Sequence, residues 1–453
     1  MTEAPSTRTD CDALRDASVC RQLSLLAQGR TSSAALTRAY LDAAEASAPG
    51  AAWVHRNAES ALQEAEASDR RRGEGKAIGR LEGIPLAIQD SIDVAGMPCS
   101  AGLAARAGQR AERDAFAVAR LRGAGAVLLG KTHMDEAALG ALGRHPRWGN
   151  LDNPLCPGHS SGGASSGAAV TVAAGLASAA VGVDTLGSAR IPASFCGIYA
   201  LRPTLGEIST AGSWPALPRL DTIAPMARSL DDLTLLLQVM RGHDPADPRS
   251  RRRRVPLLAP DWEPSALRCG IVDDLEALGV SAPVSKAYAD ALDCAGGALG
   301  QRRSTSLAPL ELGASRRRAL LMMEAQIGVH AAAWLDGASD ALLRMIDFAR
   351  GRDALDYAAA DLALDAAVVA TRGLFERIDV LILPTAPELP PAHADPEPSH
   401  LTDLCAFASL AGCPALALPL GAGAGLQLVG PPGSDLRLLE LGEILAALLD
   451  CAC

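Results

Sequence analysis

Between Gly158 and Gly175 the sequence reads GHSSGGASSGAAVTVAAG, and this stretch does most to limit what the chain can fold into. A glycine–serine linker runs on into polar or structureless sequence. Here the glycines lead directly into a run of small apolar residues, predicted as a helix over 165–176, and then into ASAAVGVD, predicted as a buried strand. Apolar residues make up 49% of the chain but aromatic residues only 3%. The core must therefore be built mainly from Ala, Leu and Val, which favours backbones packed closely through small side chains.

The rest of the chain supplies the same kinds of element. Thr31 to Ser33 can cap a helix reading ALTRAYLDAAEA, with Leu36, Tyr40, Leu41 and Ala44 on one stripe. A second helix is predicted from Glu59 to Arg71. Short apolar runs bounded by turn residues predict strands at Pro85–Gln89, Ala126–Leu129, Val380–Leu383 and in LQLVGPPGSD near the end. Strands alternate with helices from about residue 80 onward and no internal repeat is visible, which predicts an α/β fold. A chain of 453 residues often divides into two or three domains. The segments near 243–264 and 386–399 read as long loops and separate no independent cores. The expected organisation is one α/β domain over 31–453, preceded by a tail and first helix in residues 1–30.

Charge and cysteine usage exclude several classes. A formal net charge of −10 gives no global basic field for nucleic acid. The longest basic run, Arg251 to Arg254, reads as a solvated loop. Eleven cysteines without a C-x-x-C pair indicate free thiols and no structural metal; the C-x-C of Cys451 and Cys453 reads as a fraying tail. The N-terminal MTEAPSTRTD has no signal-peptide core. The longest largely apolar run, Val170 to Val183, is 14 residues and too short for a bilayer. These features predict a cytoplasmic protein with neither membrane nor nucleic-acid partner.

The chemistry lies in two segments. Glycines just ahead of a helix let the backbone approach a ligand and present N–H donors. The second segment, VDTLGSARIPASFCGIYALRPT, follows a strand with a tight turn at Thr185–Leu186–Gly187, then Ser188, Arg190 and Pro192. Successive N–H groups around such a turn can form a nest for an oxyanion. Together the segments resemble the amidase signature family, whose hallmarks are G-G-S-S-G-G-S and D-T-G-G-S-I-R-x-P. The resemblance spans roughly residues 30 to 445 and includes LEGIPLAIQDSIDVAGMPCSAG, ARLRGAGAVLLGKTHMDE and DVLILPTAP. Among subgroups the chain is most similar to bacterial allophanate and 1-carboxybiuret hydrolases. The resemblance implies an amidase signature fold, a central mixed twisted sheet covered by helices on both faces, with its signature core at about 80–215. It also implies hydrolysis of amide bonds without cofactor or metal.

That family uses a serine nucleophile, a second serine in a cis peptide that relays the proton, and a lysine base. The resemblance places the nucleophile at Ser188, the oxyanion donors at Thr185, Leu186, Gly187 and Ser188, and supporting residues at Ser165, Asp184 and Arg190. Leu186 departs from the usual glycine. The lysine position, in LAIQDSIDVAG where the family reads K-D-N-I-D, is Gln89. Counting back from Ser188 without gaps puts the relay position at Ala164, with separations of 75 and 24 positions along the chain. Reading Ser160 as the relay would demand extra residues inside a packed helix.

Two of three catalytic groups are therefore absent. A glutamine amide has no basic nitrogen near neutral pH, and a serine without a base is a poor nucleophile. The expectation is a degenerate amidase that binds a small amide-like ligand or supports a partner enzyme. The alternative is an active C–N hydrolase using Ser188 with a non-standard base, of which His159 is the most interesting histidine. A third reading is the amidase component of an amidotransferase, with separate tRNA-binding partners. The resemblance also implies a homodimer. Of the three lysines, Lys131 in GKTHMDE is expected to be structural, and Asp90 is expected to point away from Gln89. Specificity is expected to reside in the region Leu320 to His400.

Overall fold

The computed structural model describes residues 7–47, 52–252 and 262–452. Eleven strands form one mixed sheet: β1 Trp53–Arg56, β2 Pro85–Gln89, β3 Val127–Thr132, β4 Ala179–Asp184, β5 Tyr199–Arg202, β6 Thr222–Ala227, β7 Arg268–Val272, β8 Gln301–Thr305, β9 Val380–Pro384, β10 Ala415–Gly421 and β11 Ala424–Val429. Their spatial order is β1-β3-β2-β4-β6-β5-β10-β11-β9-β7-β8. Strand β2 runs parallel to both β3 and β4, and β7 runs parallel to both β8 and β9. The remaining pairings are antiparallel, so the predicted α/β architecture with a central mixed sheet is the one observed, with helices flanking it.

The sequence of β2, PLAIQ, is buried at every position. That is the signature of an interior strand covered on both faces, and its one polar residue, Gln89, lies at the end nearest the site. Strand β4, AAVGVD, is likewise buried throughout and ends in Asp184. The helix Ser166–Ala173 packs against β4 through small residues, as the composition demanded. It stops three residues short of the predicted end, because the chain turns at Gly175 with φ +63°. Strand β3 runs on to Thr132, past the predicted Leu129, because its outer half pairs with β1 on one side and β2 on the other.

The helix Ser33–Ala46 is capped by the Ser32 hydroxyl, which accepts from the Ala35 N–H, and it buries Leu36, Tyr40 and Ala44. Leu41, predicted on the same stripe, is only half-buried. Residues 7–30, expected as a tail and one helix, hold two helices, Thr7–Asp16 and Val19–Ala27. The second is anchored where Asp232 accepts the N–H groups of Val19 and Cys20, both at 2.9 Å.

Arg251 and Arg252 are exposed, while Arg253, Arg254 and the side chains of the terminal C-x-C lie outside the described residues. The eight cysteines whose side chains are described are free thiols. Among the described residues no helix is long and apolar enough to cross a membrane, and no cluster of three or more His, Cys, Asp or Glu side chains could hold a metal ion.

Candidate active site

The end of β2, the glycine-rich entry to the helix Ser166–Ala173 and the turn after β4 meet at one place. The Oε1 atom of Gln89 accepts from the Ser165 hydroxyl at 2.7 Å and from the Val183 N–H at 2.9 Å. An N–H can only donate, so the group facing Val183 must be an acceptor. Strand β4 admits these side chains because residue 182 is glycine. A Cβ there would stand 2.8 Å from Ser165 Oγ and 2.9 Å from Gln89 Oε1. The Ser165 N–H in turn donates to the Ser188 carbonyl at 3.1 Å. Residues 89, 164–165 and 188 are thus brought together. Ala164, fully buried, sits in an apolar cluster with Met134 and Leu186, and every described peptide bond is trans.

The other candidates lie elsewhere. The Ser160 hydroxyl donates to Leu142 O at 2.8 Å and accepts from the Gly162 N–H at 3.0 Å, and Ser161 donates to Leu151 O at 3.0 Å. Both serines are spent on backbone. His159 lies on the short strand Cys156–Ser160 with Nδ1 facing Cys156 Sγ at 3.1 Å, and it does not line the cleft that holds Ser188. Lys131 is buried and donates to the carbonyls of Asp90 and Pro98. Lys76 and Lys286 pair with Glu74 and Asp290 on the surface. Asp90 accepts from the Ser100 hydroxyl and the Gly102 N–H.

The turn carrying Ser188 is held by charge. Asp184 accepts two bonds from Arg190, Nη2 to Oδ1 and Nε to Oδ2, each 2.9 Å. Arg202 reaches the Asp184 carbonyl at 2.5 Å and its Oδ1 at 3.2 Å. Arg190 also donates to Gln427, Cys405 O and Ser409. All three charged groups are fully buried. Burial by itself would raise the Asp184 carboxyl, but Arg190 and then Arg202 override it and hold that carboxyl well below the ordinary range. Burial pulls Arg202 down to about 10. Next to this group, burial pushes Asp221 up to about 6, against the hydrogen bond it accepts from Thr185 Oγ1 at 2.7 Å.

Two positions of the turn respond differently to a side chain. Leu186 keeps an ordinary negative φ, so its departure from glycine carries no backbone strain. Gly187 has φ +109°, and a Cβ there would stand 2.6 Å from the Cys405 Cβ. Its N–H, expected among the oxyanion donors, is committed to Asp184 Oδ1 at 3.0 Å. The N–H groups of Thr185, Leu186 and Ser188 have no acceptor among the described residues. Gly187→Ala is therefore expected to destabilise the protein by about 2–5 kcal/mol through strained backbone and overpacking, whereas Leu186→Met, a volume-conserving change at a buried position without backbone strain, should cost about 1.5 kcal/mol or less. Urea denaturation of both variants checks the difference.

Ser188 is half-buried and lines a cleft that is partly open to solvent. Its near wall is Gly163, Thr185, Leu186 and Ile191. Its far wall comes from the helix Leu312–His330 and from residues 397–402. Three charged residues line it: Arg316, tied to Asp403 at 2.5 Å, Glu324 and Glu397. Burial raises both glutamates, Glu324 to about 7. Reading the sequence did not single out Glu324, although a lone acid within ALLMMEAQIG is a signal that could have been used.

The amidase family model matches residues 35–295 and 339–439, and the chain belongs to that family. It is 33% identical over 462 residues to a glutamyl-tRNA(Gln) amidotransferase subunit of Chloroflexus aurantiacus, covering 92% of this chain and 93% of that one. A crystal structure of an amidase superposes with a TM-score of 0.86 at 30% identity, over 95% of this chain and 99% of the other. A structure from a vestigial protein complex, connected with the origin of an s-triazine catabolic enzyme, gives 0.87 at 28% identity, over 95% and 98%.

Proposed function

We propose that this protein is an amidase-family member that retains a cleft for small carboxamides or urea derivatives but has lost the proton relay needed for efficient turnover. The observation that carries the reading is the position of Gln89. A neutral amide oxygen occupies the place of the base and takes up two donors, the Ser165 hydroxyl and the Val183 N–H. Nothing in that arrangement can accept the Ser188 proton at neutral pH, because an amide oxygen is far too weak a base. Ala164 supplies no hydroxyl through which another base could act. The likeness to allophanate and 1-carboxybiuret hydrolases supports urea-type ligands. The Chloroflexus relative, itself one component of an amidotransferase, supports a role beside a partner protein in the cytoplasm.

A second reading, an active hydrolase with a non-standard base, is favoured by one observation. Ser188 and the free N–H groups of Thr185, Leu186 and Ser188 preserve an oxyanion site that could still contribute about 10³–10⁴ in rate over water. Labelling with a fluorophosphonate separates the two readings. No Ser188 adduct is expected by intact mass within an hour at pH 7.5. Rapid labelling of the wild type, abolished in Ser188→Ala, would overturn the loss of function and establish the second reading.

A further inference from the structure

Glu324 stands out within the cleft. It lies on the helix Leu312–His330, whose neighbouring turn contributes Leu320, and both residues line the Ser188 cleft on one side and a second groove on the other. Its carboxyl makes no hydrogen bond or ion pair among the described residues, and Oε2 is closed off from water. Buried polar groups without partners are rare and costly, and in a ligand cleft they are the groups a ligand completes.

The surrounding charges define the kind of ligand. On the cleft side, Arg316 is already neutralised by Asp403, and Glu397 adds a second carboxyl. On the groove side stand Arg317, Arg318, Arg352 and Asp356. Arg352 lies over the Phe348 ring, Asp356 accepts from the Asp353 N–H, and Arg318 faces Glu311. None of these groups offsets the burial of Glu324, which alone accounts for its raised pKa near 7. The remaining cleft wall is largely apolar: Leu139, Leu186, Ile191, Leu320, Met323 and Leu401.

We infer that Glu324 is a specificity residue that selects amide ligands bearing a cationic amine, the ammonium pairing with its carboxylate while the apolar walls hold the connecting chain. This rests on the reading of the Ser188 cleft as a carboxamide site. An ammonium supplies the missing hydrogen-bond donor together with a compensating charge, whereas a ligand carboxylate would meet two acidic groups. Binding should drive the proton off Glu324, so that proton release accompanies association at pH 6.

Titration calorimetry with three probes, 6-aminohexanamide, hexanamide and adipamic acid, tests this directly. At pH 7.5 the wild type should bind the amino amide about tenfold more tightly than hexanamide, as expected for a charge-assisted bond, and adipamic acid most weakly. The preference should shrink at pH 5.5, where Glu324 is protonated. In Glu324→Gln it should fall to about twofold or less; Glu324→Met serves as a second variant, and melting temperatures verify that both fold. A preference that persists in both variants, or that the wild type never shows, overturns the inference while leaving the carboxamide cleft standing. If none of the probes binds, the inference and the carboxamide reading fall together.

Discussion

The double variant Gln89→Lys/Ala164→Ser is expected to release ammonia from small carboxamides at least about 10²–10⁴-fold faster than the wild type, the range that general-base assistance supplies. The surroundings of residue 89 favour this. A buried amine is pushed toward its neutral form, and the Val183 N–H, now 2.9 Å from Gln89 Oε1, demands an acceptor, which a neutral amine provides and an ammonium does not. Ser165 Oγ already stands 2.7 Å from the side chain at 89, and Ser165 N–H binds the Ser188 carbonyl, so a hydroxyl restored at 164 lies in the same cluster. Each single variant should remain close to wild type. A lysine without the relay has no route to Ser188, and a relay serine without the lysine has no base behind it. Members of such a unit contribute jointly rather than additively. Ammonia release from the four proteins, with Ser188→Ala as the control, checks the expectation. A folded double variant that gains nothing would show that the site has changed beyond the two substituted positions.

Asp184→Ala should be the most destabilising single substitution in the site. Breaking a buried ion pair from one side typically costs about 3–5 kcal/mol, because the abandoned charge stays buried. Here two guanidinium groups, Arg190 and Arg202, are abandoned together, and the bonds from Gly187 and Ala189 N–H that shape the turn are also lost. The pH dependence has a definite sign. The folded Asp184 carboxyl is held below its unfolded value of about 3.9, so its contribution is complete above that pH and declines as the pH falls toward the folded value. Asp221 has the opposite sign: raised to about 6, its contribution is present below its unfolded value and lost as the pH rises through 6. Urea denaturation between pH 7 and pH 3 should show an acid-side loss of stability in the wild type that is reduced in Asp184→Ala. Equal acid sensitivity in both proteins would assign that loss to other carboxylates.

Much of this arrangement can be read in the sequence, for identifiable reasons. PLAIQ and AAVGVD carry their burial in composition alone. What could not be read depends on contacts distant in sequence. Arg190 is fixed by Cys405, Ser409 and Gln427, more than 200 residues away. The Gly187 N–H is claimed by a carboxylate whose direction only the folded turn determines. Glu324 is marked in the sequence only as a lone acid in an apolar helix, and its place in the cleft beside Ser188 and its lack of a partner depend on the fold. The first helices were underestimated because Asp232, which anchors the second of them, belongs to another element.

The hairpin β10–β11 occupies the middle of the sheet, with β5 on one side and β9 on the other. It is built from residues 415–429, which are translated after every other strand of the sheet. The segments that carry Gln89, Ala164 and Ser188 are translated long before it, yet the two flanks of the sheet stay unjoined and Arg190 lacks Gln427 until it arrives. During synthesis the nascent chain must therefore carry open strand edges at β5 and later at β9, a period in which pairing between neighbouring chains competes with completion. The terminal helix Asp435–Ala452, which packs over β10, then covers the hairpin. A fragment ending before residue 415 would lack this hairpin and with it the Gln427 partner of Arg190.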